Sequence, residues 1–213
     1  MQIVLQKVNP LHVEKQKVSG SAVWNREILI EPSAHLHIVA PSGSGKTTLM
    51  HFLYGLRNDY SGKIYFDNKE LKATSAEEFS LVRRKKVSMI FQDLRLFDTQ
   101  TVRENIEIKR ILDPYHTQQE AEEMCVMLGI VSKLDQLAGT CSYGEQQRIA
   151  IIRALMQPFH FLLLDEPFSH LDEVNRQKAM NLIYEECERR GAAMVFADLQ
   201  PLELLKGERV LTL

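Results

Sequence analysis

The sequence lacks several features that would assign it to a specialised class. Its three cysteines, Cys125, Cys141 and Cys187, are odd in number and lack the spacing of a metal site or redox pair, so no disulfide framework is expected. No apolar run approaches the roughly 20 residues of a membrane-spanning helix, and the first residues lack the layout of a signal peptide. We therefore expect reduced thiols, a cytoplasmic location and a membrane role only through a partner.

Charge of one sign is also scarce. The formal net charge is −2, which gives no overall bias towards nucleic acid, and we expect no nucleic-acid partner. The basic run at 83–86 is short and local. We interpret it as the solvated end of a helix that leads into a strand.

The 213 residues suffice for one domain with a sizeable core, and we predict a single α/β domain over 1–213. Apolar runs predict the strands, helical periodicity predicts the helices, and Ser61-Gly62 is interpreted as a turn before a hairpin. The predicted strands are 3–8, 27–30, 36–40, 63–66, 87–91, 161–164, 193–196 and 209–213, and the predicted helices are 76–84, 102–111, 118–128, 145–156 and 172–190.

A glycine-rich turn follows the apolar run 36–39 and opens into an apolar helix, which is the layout of a phosphate-binding P-loop. In such a loop, backbone N–H groups and the helix N-terminus hold a triphosphate, Lys46 reaches the β- and γ-phosphates, and the Thr47 hydroxyl binds Mg²⁺. The predicted nucleotide-binding residues of this stretch are Pro41, Ser42, Gly43, Ser44, Gly45, Lys46, Thr47 and Thr48.

The loop departs from the usual pattern because Ala40 stands where the first glycine belongs. Alanine fits without strain only if φ at this position is negative. The alternative interpretation is a flexible Gly/Ser loop, which the Lys-Thr-Thr sequence and the following helix disfavour.

Two further sites follow strands. Asp165 and Glu166 come directly after the apolar run 161–164, at the carboxyl end where ligands bind in open α/β sheets. Asp165 suits Mg²⁺, and Glu166 can polarise an attacking water. Gln92 ends another strand with an amide that can contact both Mg²⁺ and water. Taken singly, each could be an ordinary surface residue.

A third motif lies at 141–148. Ser142, with Glu145 three residues later, predicts a capping box before an apolar helix, and this structural role is one interpretation. In the functional interpretation, Ser142 and the N–H groups beside it take the γ-phosphate of a nucleotide bound elsewhere.

Together, in this order, these motifs resemble the nucleotide-binding subunit of an ABC transporter over essentially the whole chain. The P-loop, Gln92 as Q-loop, 141–145 as signature, 161–166 as Walker B and 169–172 as D-loop carry the resemblance. The run 83–93 and the compact length are most similar to the branch of lipoprotein-release, macrolide-export and cell-division ATPases.

The resemblance implies a P-loop NTPase fold with a mainly parallel core sheet, an antiparallel β subdomain and a helical subdomain inserted at about 94–157. It implies ATP and Mg²⁺ as cofactors, with catalytic Lys46, Gln92 and Glu166, and metal-binding Thr47, Gln92 and Asp165. Two ATPase subunits, identical or different, would bind ATP head to tail between one P-loop and Ser142 and Gly144 of the other. The partner would be an integral membrane permease, which places the chain peripherally on the inner membrane face.

The chain departs from the family at three places. Cys141, Tyr143 and Glu145 replace three of the five usual signature residues, Leu-Ser-Gly-Gly-Gln. Ala197 stands at the position of the switch histidine and offers no side-chain hydrogen bond, so slow hydrolysis is expected. An aromatic platform for adenine is missing near 10–12, where only His12 could stack, while Trp24 is expected in the core.

Two alternatives remain. The chain could be a regulatory or structural module that binds ATP and dimerises with little or no hydrolysis, as Ala197 suggests. A DNA-repair or chromosome-organising ATPase shares these motifs but needs a long coiled coil. The segment 92–142 is short and has no sustained heptads, which disfavours that class.

Overall fold

A computed structural model describes residues 1–12, 20–201 and 209–213, and it shows an α/β fold built on two sheets. The larger sheet is parallel, with strand order β6-β7-β8-β3-β9, and the smaller is antiparallel, with order β2-β1-β4-β5. The strands are β1 Ile3–Pro10, β2 Glu27–Ile30, β3 His35–Val39, β4 Tyr60–Phe66, β5 Lys69–Glu70, β6 Val87–Ile90, β7 Phe161–Asp165, β8 Ala193–Asp198 and β9 Arg209–Thr212. The helices are α1 Lys46–Leu53, α2 Ala76–Lys85, α3 Val102–Leu112, α4 Gln118–Met127, α5 Tyr143–Leu155 and α6 Glu173–Arg190.

This arrangement confirms the predicted α/β fold with a mainly parallel sheet and a separate antiparallel one. The predicted turn at Ser61-Gly62 is wrong, because both residues lie inside β4. Opposite them, β1 shifts its register between Gln6 and Asn9, and Lys7 has a φ of 50°. Gly62 itself has a φ of 80°, and a Cβ there would lie 2.3 Å from the Lys7 carbonyl oxygen. The glycine therefore accommodates a β-bulge, which a sequence pattern cannot separate from a turn.

Strand β7 lies at the centre of the molecule and is buried on both faces, as its continuous apolar sequence predicts. Its alternate residues enter two different cores. Leu162 and Leu164 pack in the cluster that contains α5 and α6 residues, whereas Phe161 and Leu163 pack in the cluster that contains α1 and the antiparallel sheet. The strand thus holds Asp165, its last residue, between helical layers on both sides.

The segment between β6 and β7 is helical and contains α3, α4 and α5. Each of these helices begins with a capping box, with Thr101, Thr117 and Ser142 as the capping residues. The proposed subdomain bounds of 94 and 157 remain a prediction. In the described part of the chain, no helix combines the length and the apolar character needed to cross a membrane.

A buried ionic cluster ties this helical segment to α6. His116, whose side chain is fully buried just before α4, lies 2.8 Å from Glu186. Arg190 contacts the same carboxylate and places its guanidinium 3.8 Å from the ring centre of Tyr115. Burial alone would raise the pKa of Glu186, but the His116 hydrogen bond and the Arg190 charge outweigh it and hold the pKa at about 2. The Glu186 carboxylate is therefore ionised at neutral pH, where it pairs with Arg190.

Replacing Arg190 with alanine is expected to lower the free energy of unfolding by about 3 kcal/mol, because it leaves the buried Glu186 carboxylate without its main counter-charge. Urea denaturation at pH 7 measures this. Arg189→Ala is the matched control: that side chain contacts the same carboxylate but is 46% exposed, so the loss should be about 1 kcal/mol or less. The folded pKa of Glu186 is depressed, so the stability that it contributes should disappear as pH falls from about 4 towards 2. Equal losses of unfolding free energy in Arg190→Ala and Arg189→Ala would contradict the role of Arg190 as the main counter-charge of Glu186.

Candidate nucleotide-binding site

The loop between β3 and α1 has the backbone of a phosphate-binding turn. Gly43 and Gly45 have φ values of 75° and 105°, in the left-handed region that glycine adopts without cost. Ala40 is not among the described residues with positive φ, which confirms that alanine fits at the first position of the motif. A Cβ on Gly45 would lie 3.3 Å from the Trp24 ring, so the loop rests directly on that buried side chain.

Lys46, the first residue of α1, is only 4% exposed. Its ammonium donates to the carbonyl oxygens of Ala40 at 2.8 Å and Pro41 at 3.2 Å. It also lies 3.2 Å from Glu166 Oε1. The loop therefore surrounds the Lys46 ammonium. Pro41 has no backbone N–H that could bind a phosphate, but its carbonyl helps to hold this ammonium.

Three of the predicted side chains form one hydrogen-bonded chain across the sheet edge. The Thr47 hydroxyl donates to Gln92 Oε1 at 3.2 Å, and Gln92 Nε2 donates to Glu166 Oε2 at 3.3 Å. Lys46 contacts the other oxygen of Glu166. Since Lys46 and Thr47 are neighbours in the chain, the four residues form a closed ring of contacts. A cavity of about 230 Å³ opens beside them, and its lining residues are Ser42, Gly43, Gly45, Lys46, Thr47, Thr48, Gln92 and Glu166.

Glu166 has a strained backbone, with a φ of 47° directly after β7. Its N–H donates to the Ala197 carbonyl at 2.9 Å on the neighbouring strand, which fixes this geometry. Non-glycine residues in the left-handed region persist only where the surroundings enforce them, and they concentrate at functional sites. The turn aims the carboxylate at Lys46 and Gln92.

Asp165 is completely buried, and burial raises the pKa of its carboxyl to about 6. Neither carboxylate oxygen has a hydrogen-bond partner in the described structure, since the nearby Thr47 hydroxyl donates to Gln92. A buried, unpartnered carboxylate beside a hydroxyl and an amide oxygen fits Mg²⁺, which prefers oxygen ligands and keeps few protein carboxylates. Among the described residues, no group of three or more His, Cys, Asp and Glu side chains could hold a metal.

Asp165→Asn should stabilise the protein without ligands by about 2 kcal/mol at pH 7.5, because it removes a buried charge without a partner. A raised folded pKa means that wild-type stability falls as pH rises from about 4 through about 6, and the asparagine variant should lack this fall. Thermal unfolding at pH 5 and pH 7.5 measures both. Exposed Asp98→Asn is the control and should change stability little. A variant no more stable than wild type at pH 7.5 would refute the buried-charge account.

The signature segment lies at the start of α5. Ser142 is the N-cap: its hydroxyl accepts from the Glu145 N–H at 3.4 Å, and Glu145 Oε2 accepts from the Ser142 N–H at 2.8 Å. The predicted capping box is confirmed, although the helix begins at Tyr143 and not at Glu145. Neither Ser142 nor Gly144 lines the cavity at the P-loop. The structure therefore brings the P-loop, Gln92 and the acidic pair together and leaves the signature residues outside.

Two contacts at this segment were not predicted from the sequence. The Tyr143 hydroxyl donates to the Gln92 carbonyl at 3.4 Å, which joins the signature segment to the Q-loop of the same chain. Gln147 is 1% exposed and donates through Nε2 towards the Glu166 carbonyl at 3.3 Å, while its Oε1 accepts from the His170 N–H at 3.1 Å. The sequence contained one signal for the second contact: Gln147 stands at a core position of an apolar helix, and a buried amide needs hydrogen-bond partners.

The structure describes three of the residues discussed for the base and the switch position, namely His12, Trp24 and Ala197. His12 is exposed and lies 3.9 Å from Asp59, and no aromatic platform is formed by the described residues 10–12, while residues 13–19 fall outside the description. Trp24 is 1% exposed and packs edge-on against Phe52, which confirms its place in the core. Ala197 is completely buried at the end of β8.

A parallel sheet, a glycine-rich loop feeding a helix, and an acidic pair after a neighbouring strand define a P-loop nucleotide-binding protein. The family described as ABC transporter matches residues 25–169. The chain therefore belongs to the ABC transporter family.

Relatives agree with this assignment. The chain is 37% identical to the macrolide export ATP-binding/permease protein MacB of Nitrosomonas europaea over 73% of this chain and 24% of that protein. It is 37% identical to the lipoprotein-releasing system ATP-binding protein LolD of Buchnera aphidicola over 86% of this chain and 82% of that protein. The dimeric structure of MJ0796, a bacterial ABC transporter cassette, superposes with a TM-score of 0.79 at 27% identity, covering 93% and 88% of the two chains. The chain thus spans about a quarter of this MacB protein, and it spans 41% and 52% of two further relatives, the transport ATP-binding proteins GbuA of Listeria monocytogenes and GlcV of Saccharolobus solfataricus.

Proposed function

We propose that this chain binds and hydrolyses ATP as the cassette subunit of an ABC-type transport complex. The observation that carries the proposal is the hydrogen-bonded set of Lys46, Glu166, Gln92 and Thr47. The buried, unpartnered carboxylate of Asp165 lies near this set. A related cassette has been solved in a post-hydrolysis state with ADP and Pi, which supports the same reaction here.

Each residue has a distinct role in this reaction. The N–H groups of the loop 42–48 and the Lys46 ammonium bind the β- and γ-phosphates, for which Lys46 exchanges its contact with Glu166. Thr47, Gln92 and Asp165 would hold Mg²⁺, which neutralises the charge that develops on the phosphate oxygens. Glu166, once released from Lys46, orients the attacking water and accepts its proton at a carboxylate oxygen.

The signature residues act on a different nucleotide in this proposal. Ser142 and Gly144 lie outside the P-loop cavity of their own chain, so they are available to a second subunit, identical or different. ATP would then lie between the P-loop of one subunit and the N-terminus of α5 of the other, and MJ0796 forms a dimer in its solved structures.

The partner in transport would be an integral membrane permease, and the chain would sit peripherally on the cytoplasmic face of the membrane. MacB is named as a joint ATP-binding and permease protein, and LolD as the ATP-binding protein of a releasing system. The helical segment at about 94–157, joined to the ATP site through Gln92, would carry the coupling surface.

A second candidate function is an ATP-binding regulatory module with little hydrolysis. Ala197 favours it, because a buried methyl group cannot hydrogen-bond the γ-phosphate. Tyr143, exposed at a position where the family has glycine, narrows the approach of a phosphate to the helix.

Steady-state hydrolysis of ATP with Mg²⁺ by the purified chain tests the proposal, with Lys46→Ala as the baseline. We expect turnover above that baseline, and an increase of at least tenfold in Ala197→His, since one donor to developing charge contributes about 10²- to 10³-fold. Because Ala197 is fully buried, thermal unfolding of the histidine variant must be measured beside it. A wild-type rate equal to the Lys46→Ala rate, with ATP still bound, would favour the regulatory module.

A further inference from the structure

An aromatic contact joins the signature segment 141–145 to the loop after β7. Tyr143 and His170 pack edge to face with ring centres 4.2 Å apart. Both side chains are exposed, and Tyr143 keeps 45% of its surface accessible. The pair therefore presents an imidazole ring to solvent against Tyr143, the residue that follows Ser142, the N-cap of α5.

The backbone beneath this imidazole is held firmly. The N–H of His170 donates to Gln147, which is 1% exposed, at 3.1 Å. The carbonyl of His170 lies against α5 so closely that a Cβ on Gly144 would be 3.0 Å from it. Gln147 also contacts the Glu166 carbonyl and the Ser169 hydroxyl. The loop that carries His170 is thus fixed to both the helix N-terminus and the acidic end of β7.

The chain's own catalytic site has no imidazole at the switch position. Ala197 belongs to the core cluster on the α1 side of the sheet. His37 lies on the adjacent strand β3, opposite Phe196, and packs its ring against Phe196 with centres 4.7 Å apart. Phe196 belongs to the cluster on the other face, so His37 is not placed to replace a side chain at 197.

We propose that His170 is a catalytic residue in trans: the imidazole that Tyr143 packs against donates a hydrogen bond to the γ-phosphate of ATP bound at the P-loop of the second subunit. This inference rests on the proposed head-to-tail dimer, in which Ser142 and Gly144 face that same phosphate. The imidazole supplies the donor that Ala197 cannot, from the opposite side of the nucleotide. A preorganised donor aimed at developing charge contributes about 10²-fold to the rate.

The first test compares three homodimers by kcat and KM for ATP hydrolysis. His170→Phe keeps an aromatic ring against Tyr143 and loses the N–H, so it separates packing from hydrogen bonding. We expect His170→Phe and His170→Ala to lose kcat alike, by about 10²-fold, with KM within a few-fold of wild type. Addition of Ala197→His to either variant should restore at least tenfold. Wild-type kcat in His170→Phe would overturn the proposal in favour of a packing role.

The second test locates the acting histidine with mixed dimers of two differently tagged copies. One copy carries Lys46→Ala, so it contributes only its signature segment and His170 to the active ATP site. The other copy contributes the intact P-loop. His170→Ala should lower hydrolysis at least tenfold more when it is placed in the Lys46→Ala copy than when placed in the other. Exposed His160→Ala in the Lys46→Ala copy is the matched control and should keep the rate. Equal losses for the two placements of His170→Ala would overturn the action in trans.

The two proposals fail differently. If wild-type chain hydrolyses ATP no faster than Lys46→Ala, the proposed ATPase function fails. If wild type hydrolyses ATP and His170→Phe matches it, only the role of His170 fails.

Discussion

Glu166→Gln is expected to lower the rate of ATP hydrolysis by about 10³-fold while leaving ATP binding in place. The glutamine has the same shape and keeps a hydrogen-bond acceptor for Lys46, but it cannot accept the proton of the attacking water. Its backbone N–H still bonds to Ala197, so the strained turn after β7 is retained. Because the variant keeps ATP bound without hydrolysing it, the head-to-tail dimer that holds ATP between its subunits should persist longer.

Single-turnover hydrolysis and size-exclusion chromatography with ATP and Mg²⁺ measure these two effects. Glu173→Gln is the matched control, since Glu173 is 71% exposed in the first turn of α6, where it forms an ion pair with Arg176. Its rate should equal that of wild type. Hydrolysis by Glu166→Gln within tenfold of wild type would exclude Glu166 as the base, and absence of the dimer would count against the head-to-tail arrangement.

Lys46→Ala is expected to weaken ATP binding by at least 10²-fold. The ammonium is buried and held by two loop carbonyls and Glu166, so its loss removes the cation that the loop encircles and leaves the Glu166 carboxylate facing incoming phosphates. Like charges at this distance repel strongly in a partly buried site.

Trp24, the only tryptophan of the chain, provides the measurement, because it packs directly beneath Gly45 of the loop. Titration of its fluorescence with ATP yields the Kd. Lys69→Ala is the control: Lys69 is 53% exposed and pairs with Glu78, away from the cavity at the P-loop. A Kd for Lys46→Ala within threefold of the control would show that Lys46 does not bind the phosphates.

The sequence was most informative where a site is built from neighbouring residues. The P-loop and the Asp165-Glu166 pair each depend on one strand and the turn that follows it, so their local pattern predicts their conformation. The position of Gln92 depends on a long-range fact, the adjacency of β6 and β7, and the family resemblance supplied it. The sequence could not show that Gln92 links Thr47 to Glu166, because that contact joins three separate elements.

Other features were out of reach for physical reasons. The bulge at Lys7 and the conformation of Gly62 depend on the partner strand, and a glycine in a strand and a glycine in a turn look alike. The ionic cluster of His116, Glu186 and Arg190 joins residues about 70 positions apart. The contact of Tyr143 with His170 depends on the close approach of α5 to the loop after β7, which the exposed character of both residues conceals.

The position of β3 in the large sheet bears on the synthesis of the protein. Both neighbours of β3 are late strands, β8 and β9, and His35 pairs with Met194. The strand that feeds the P-loop is therefore made about 160 residues before its first sheet partner, a delay of roughly 8 to 30 s at 5–20 residues per second. During that interval β3 lacks both of its sheet partners, so we expect ATP binding only after β8 and β9 have been synthesised.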